Sequence, residues 1–165
     1  MTNRKETTME PKLTIPRWEQ LPRIDLYMDQ VIAIVNQMCS DFDIKPITKS
    51  MINNYVKLGL IPAPKAKKYD RLQLAFIIVI TLLKEGFEIS VIKQGILLET
   101  KRLGLKEAYN AFCDAMENAI VLVDSSSEII INQDCVSPLM QQATMCIAFQ
   151  KQVIRTILTK EIKDE

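Results

Sequence analysis

The sequence predicts an all-α chain, and three observations carry that prediction. Apolar residues recur at helical spacing through most of the 165 residues. Glycine, proline and short polar runs punctuate those stretches where helices should start and stop. The one β-like run, Ile129-Ile130-Ile131, has no partner strand in view, so Glu128 to Val136 is read as loop.

In chain order, Met1 to Lys12 is polar, without period, and expected to fray. Pro16 and Pro22 bracket the only tryptophan, Trp18, a pattern that pins an extended arm onto a body. Leu26, Val31, Ile34, Val35, Met38 and Phe42 predict a first helix from about Asp25 to Phe42, with Asp25 placed to cap it. Pro46 makes Asp43 to Pro46 a connector. Thr48 then caps a second helix, Lys49 to Leu58, which Gly59 ends. Pro62 and Pro64 stiffen the crossing that follows.

Asp70 and Gln73 form a capping-box pair opening a helix to about Glu85, stopped by Gly86. Ile89 to Arg102 is a further helix, with Ile89, Ile92, Ile96 and Leu97 expected inward and Gly104 after its end. The clearest amphipathic stripe is Leu105, Ala108, Tyr109, Phe112, Met116, Ala119, Ile120 and Val123. Pro138 starts a last helix, carried to about Lys160 by Leu139, Ala143, Cys146, Ile147, Ile154, Ile157 and Leu158. The expected division is a disordered arm over 1–15, a head over 16–104 and a helical body over 105–165.

Composition narrows the function. Hydrophobic residues make up 48 % and charged ones 25 %, as in a soluble globular protein. The net charge of +1 points to no anionic partner, but its distribution does. From Asp43 to Leu72 seven Lys/Arg face two acids, a local +5. From Glu99 onward seven face ten, a local −3. A basic centre beside an acidic tail suits a nucleic-acid head on an interaction body. The apolar run from Leu74 to Leu83 is too short to cross a bilayer, and Glu6, Thr7 and Glu10 interrupt any signal-peptide pattern. The expectation is a cytoplasmic protein with no membrane partner.

Cys39, Cys113, Cys135 and Cys146 lie scattered in apolar segments and read as buried, reduced thiols. With no histidine and no third ligand near Cys135 and Cys146, no metal site is assigned. No paired groups for acid–base or nucleophilic work appear, so no enzyme activity, catalytic residue or cofactor is assigned either.

Functional information concentrates between Ile47 and Ile92, read as a helix-turn-helix with a short wing and its supporting helix. The second helix turns Ile52 and either Tyr55 or Val56 inward, leaving Lys49, Ser50, Asn53, Asn54 and Lys57 outward. Short polar side chains on such a helix reach base edges in the major groove, and asparagine pairs twice with adenine. Lys49, Ser50, Asn53 and Asn54 are therefore the base-reading candidates. Lys57, Lys65, Lys67, Lys68 and Arg71 surround Tyr69, a phosphate-gripping combination. Taken alone, each group also fits a solvated face or loop.

Met51-Ile52-Asn53-Asn54-Tyr55-Val56-Lys57-Leu58-Gly59-Leu60-Ile61-Pro62, the basic stretch with Tyr69, and Glu85-Gly86-Phe87 before the Ile92 helix resemble the head of MerR-type regulators. More closely, Pro16 to Ile96 resembles an uncharacterised bacterial domain-of-unknown-function family with a MerR-like head. Tyr55, Gly59, Leu60 and Pro62 carry most of that likeness. The resemblance implies a winged helix-turn-helix head and a homodimer on double-stranded DNA, with Tyr55 and Tyr69 on phosphate. The chain departs from the MerR pattern at Asn53, Asn54 and Asp70, where an arginine, an aromatic and a second arginine are usual.

The functional expectation is a DNA-binding transcriptional regulator, its effector, small molecule or protein, left open. The alternative is a protein-interaction module on the same winged scaffold that does not bind DNA.

Overall fold

A computed structural model describes residues 14–124 and 136–161, with side chains over 14–122 and 136–152. The described chain is mostly helical: α1 (Met28–Asp41), α2 (Lys49–Lys57), α3 (Arg71–Leu83), α4 (Ile89–Leu103), α5 (Leu105–Asp124) and α6 (Pro138–Glu161). A 3-10 turn at Trp18–Gln20 precedes them, and β1 (Leu26–Tyr27) pairs antiparallel with β2 (Lys68–Tyr69). Among the described residues no helix is long and apolar enough to cross a membrane.

α3 is the centre. Leu74, Ala75, Ile77, Ile78, Ile80 and Leu82 are each no more than 1 % exposed, so this helix is apolar nearly all round. Its one hydroxyl, on Thr81, is fully buried and donates to the Ile77 carbonyl at 2.7 Å, which satisfies it inside the helix. α1, β2, α4, α5 and α6 all pack on α3, and a single apolar cluster runs from Ile15 to Ile147. The core therefore has no break at the expected head–body boundary of residue 104. Lys151 of α6 reaches the head as well, donating to the Phe42 and Asp43 carbonyls at the end of α1 at 2.9 and 2.8 Å. A lysine there satisfies carbonyls that the helix leaves unpaired.

Several expectations need correcting. Asp25 does not cap α1. The helix starts three residues later, and the Tyr27 N–H is taken by Oε1 of Gln30 at 2.8 Å. Ile15, placed in a disordered arm, is 1 % exposed and donates its N–H to Glu117 Oε1 at 2.6 Å. Leu97 is 59 % exposed, because the inward stripe of α4 is Ile89, Ile92 and Ile96. Leu139 and Cys146 also face outward, whereas Cys39 and Cys113 are buried as expected. α3 ends at Leu83, before Glu85, and Gly86 has a different reason to be glycine. A Cβ at that position would fall 2.5 Å from Ile147 Cδ1 of α6, so the glycine admits α6 against the turn. The loop expected at 128–136 falls mostly outside the described residues, as do residues 1–13 and the side chains of Val123, Ile154, Ile157 and Leu158.

Trp18 does pin the arm. Its backbone N–H donates to Asn110 Oδ1 at 2.8 Å, and its ring meets Tyr109 edge-on at 6.2 Å. Tyr109 in turn donates to the Pro16 carbonyl at 2.8 Å. Arg17 forks onto both Glu117 oxygens at 2.8 Å and reaches Asp114 at 2.7 Å. Those acids hold its guanidinium pKa well above the usual arginine value, the hydrogen bond to Glu117 being the main cause.

Candidate functional site

The approach to α2 is fixed by one asparagine. Asn36 of α1 accepts from the Ile47 N–H at 2.7 Å and donates to its carbonyl at 3.2 Å. The connector backbone is thereby held as a strand neighbour would hold it. Thr48 Oγ1 then accepts from the Met51 N–H at 3.3 Å, the expected cap. At the other end the Leu60 N–H reaches back to the Tyr55 carbonyl at 2.9 Å and the Gly59 N–H to Val56 at 3.0 Å. This is the Schellman pattern, and Gly59 supplies its left-handed residue with φ +67°. Leu60 and Tyr55, 7 % and 3 % exposed, make its apolar contact.

Between these caps Ile52 and Tyr55 face the core, and Val56 is half-buried. Lys49, Ser50, Asn53, Asn54 and Lys57 are exposed, as the spacing predicts. Tyr55 is therefore a core residue, and burial raises its phenol pKa.

Lys65 to Lys68 forms a two-residue hairpin turn, with N–H to carbonyl bonds of 3.1 and 2.9 Å in the two directions. Its central residues, Ala66 and Lys67, have φ of +48° and +62°, the pattern of a type I′ turn. Neither is the glycine or asparagine that such a turn favours, and each costs about 1–2 kcal/mol of backbone strain. Lys65 and Lys67 are exposed at this tip.

Behind the tip, β2 pairs Tyr69 with Leu26 and Lys68 with Tyr27. Tyr69 and Leu26 are 2 % and 5 % exposed, so Tyr69 also belongs to the core, and burial raises its phenol pKa. The Lys68 ammonium lies 4.9 Å from the Tyr27 ring centroid, a cation–π contact on the outer side. Asp70 is the helix cap that the capping box predicts, accepting from the Gln73 N–H at 2.9 Å while Gln73 Oε1 accepts from Asp70 N at 2.8 Å.

Arg71 has a structural task. Its guanidinium sits 5.7 Å from the Trp18 ring centroid, Nε donates to the Pro22 carbonyl at 3.4 Å, and Nη1 lies 3.8 Å from Glu19. It braces the arm against α3. The phosphate role expected of Tyr55, Tyr69 and Arg71 is thus at odds with where their side chains go: two are in the core and one is held at an internal seam.

What remains outward is Lys49, Ser50, Asn53, Asn54 and Lys57 on α2, and Lys65 and Lys67 at the hairpin tip. The start of α1 joins the two groups. Asp29, in its first turn, holds Lys49 at 2.7 Å, and Tyr27, immediately before it, holds Lys68. Tyr27, 55 % exposed, escaped the sequence reading because it lies where a helix was expected. Nothing local to Leu26 and Tyr27 marks them as a strand; their pairing with Tyr69 and Lys68 does. At the far end of α2, Lys93 of α4 donates to the Leu58 carbonyl at 3.3 Å.

The family described as Domain of unknown function (DUF1836) matches residues 16–112, from the arm through α4 and into α5. No curated protein and no solved structure matches the chain. The match starts at the expected Pro16 and runs past Ile96 to Phe112, more than half of the sequence, so the chain belongs to the DUF1836 family.

Proposed function

We propose that the protein binds double-stranded DNA as a MerR-like winged helix-turn-helix regulator. α2 would serve as the recognition helix and the Lys65–Lys68 hairpin as a short wing. The observation that carries this reading is the outward polar face of α2, joined through Asp29 and Tyr27 to a basic hairpin. Asn53 and Asn54, both exposed, would meet base edges, with Lys49 and Ser50 nearer the helix start. Lys57, Lys65 and Lys67 have no ion-pair partner among the described residues and supply the phosphate contacts. Exposed Leu139 and Phe149 on α6 favour a homodimer, which sedimentation at micromolar concentration tests.

Selection of bound fragments from random duplex DNA, followed by a salt titration, tests the reading. With Arg71 engaged internally and Lys68 lying on Tyr27, about three cations per protomer remain, for a log–log salt slope of about −3 per protomer. Lys65→Glu with Lys67→Glu should weaken all sequences alike. Asn53→Ala should blunt sequence preference by about 1–3 kcal/mol. Absence of any retained duplex at low salt rejects the proposal. A second reading, an interaction module on the same scaffold, draws on Asp70, which caps α3 where a MerR wing would place a cation. A single stoichiometric protein partner without nucleic acid would favour it.

A further inference from the structure

α3, α4, α5 and α6 line a half-open pocket with a cavity volume of about 130 Å³, Val91 and Leu139 standing exposed at its edge. Its wall is almost wholly hydrocarbon, with Phe76 and Val79 from α3, Ile92 and Ile96 from α4, Phe112 from α5 and Met140 from α6. Protein interiors are close-packed, and an unfilled space forfeits the dispersion contacts of its lining. Water does not restore them, because a buried water needs two to four polar partners.

One lining residue borders open space. Gly95 lies in the interior of α4, where glycine is unfavourable relative to alanine. A Cβ there would meet no heavy atom within 4 Å, in contrast to Gly86 with its 2.5 Å clash. Neither a turn nor a close approach requires this glycine, so its effect is to leave room.

Glu99 lies one turn further along α4 and also lines the cavity. Its Oε2 accepts from Arg102 Nε and Nη2 at 3.0 and 2.9 Å, and its Oε1 accepts from Ser137 Oγ at the start of α6. The carboxylate is therefore matched by a guanidinium before any ligand arrives.

We infer that this cavity is a binding site for a neutral, apolar, ring-sized organic molecule, admitted by Gly95 and bounded by the Glu99–Arg102 pair. An engineered apolar cavity of roughly 150 Å³ stays dry and takes up benzene, which sets the size class. An anionic ligand would face both hydrocarbon and Glu99, and an ammonium would find Glu99 already engaged; each would lose hydration without an equal return. The site does not depend on the nucleic-acid reading and stands or falls separately.

The test adds toluene, benzoate or benzylamine to the full chain, following the Met140 and Ile96 methyl resonances and the melting midpoint. Toluene should shift both methyls and raise the midpoint with concentration, binding at least about tenfold more tightly than either charged probe. Gly95→Leu, which fills the space, should lower toluene affinity about tenfold or more. Gly95→Ala, the milder variant that favours the helix, should raise the midpoint without ligand and weaken toluene by a smaller factor. Methyl resonances unmoved by toluene near its aqueous solubility overturn the proposal, as does unchanged affinity in a folded Gly95→Leu chain. Benzylamine or benzoate binding as tightly as toluene overturns the neutral assignment.

Discussion

Where the arm meets α5, Arg17 commits its guanidinium to Glu117, Asp114 and the Ile15 carbonyl, with Trp18, Tyr109 and Cys113 packed beside it. At the hairpin tip, Lys65 and Lys67 extend into solvent from a strained turn. Both regions combine cations with tyrosines near an apolar core, and a list of residue types does not separate them. Partners do. A cation matched by a buried carboxylate holds the fold together, and its charge is not offered to anything else. A cation on a surface with no acid near it carries a field into solvent, where a polyanion can meet it. Arg71, itself mostly buried and held by the Trp18 ring and the Pro22 carbonyl rather than by a buried acid, is also taken up by the fold, although its position in the sequence groups it with the second region.

The largest expected difference between the regions appears in alkali. Burial pushes the Cys113 thiol up to about 12 from its ordinary 9, and burial also raises the Tyr109 phenol. Below pH 9 both groups are protonated in the folded and unfolded chain alike, so neither makes stability depend on pH. Above it the unfolded thiol loses its proton while the folded one keeps it, and stability falls through the folded value. Denaturant titrations between pH 8 and 12 should show a decline of several kcal/mol on this seam's account. Cys113→Ala should make that decline shallower; an unchanged slope removes the seam from the explanation.

Next in size is Arg17→Ala. Glu117, whose side chain is 10 % exposed with Arg17 in place, would keep only the Ile15 N–H as partner, and unpaired buried charges are costly. Because the Arg17 side chain is itself 30 % exposed, the loss is set below the fully buried range, at about 2–3 kcal/mol in a denaturant midpoint. Arg17→Lys should recover little of it, since an ammonium cannot fork onto both oxygens. On the proposed DNA-binding reading, neither change should alter the salt slope, whereas Lys65→Glu with Lys67→Glu should flatten that slope and leave stability nearly unchanged. If Arg17→Ala flattened the slope in a folded chain, the separation between the regions would be false.

How much of this was legible depended on sequence distance. The Thr48 cap, the Gly59 stop and the Asp70–Gln73 box are settled by residues a few positions apart, and all three stand as read. β1 was missed because a two-residue strand has no pattern of its own; it exists through pairing with Lys68 and Tyr69. The seating of Arg71 is not legible in the sequence, because Trp18, Glu19 and Pro22 lie far back in the chain. Tyr55 was left level with Val56 because helical period alone does not choose between neighbours, and tertiary packing chose Tyr55. Gly95 was visible as a glycine inside a helix, but its meaning required the neighbouring helices.

The smallest expected effect bears on the hairpin. Ala66 and Lys67 occupy left-handed backbone that costs each about 1–2 kcal/mol, of which glycine would recover part while losing more chain entropy on folding. Ala66→Gly should therefore stabilise the fold by about 0.5–1 kcal/mol and leave every cation in place. On the DNA-binding proposal, if the strain merely tolerates a poor turn residue, affinity should be unchanged in this variant. If the stiffness of a non-glycine turn holds Lys65 and Lys67 where phosphates pass, affinity should fall as stability rises. Measuring both in the one variant distinguishes, for the proposed wing, charge alone from charge held in place. A loss of stability in Ala66→Gly would instead show that the turn is less strained than its dihedrals imply.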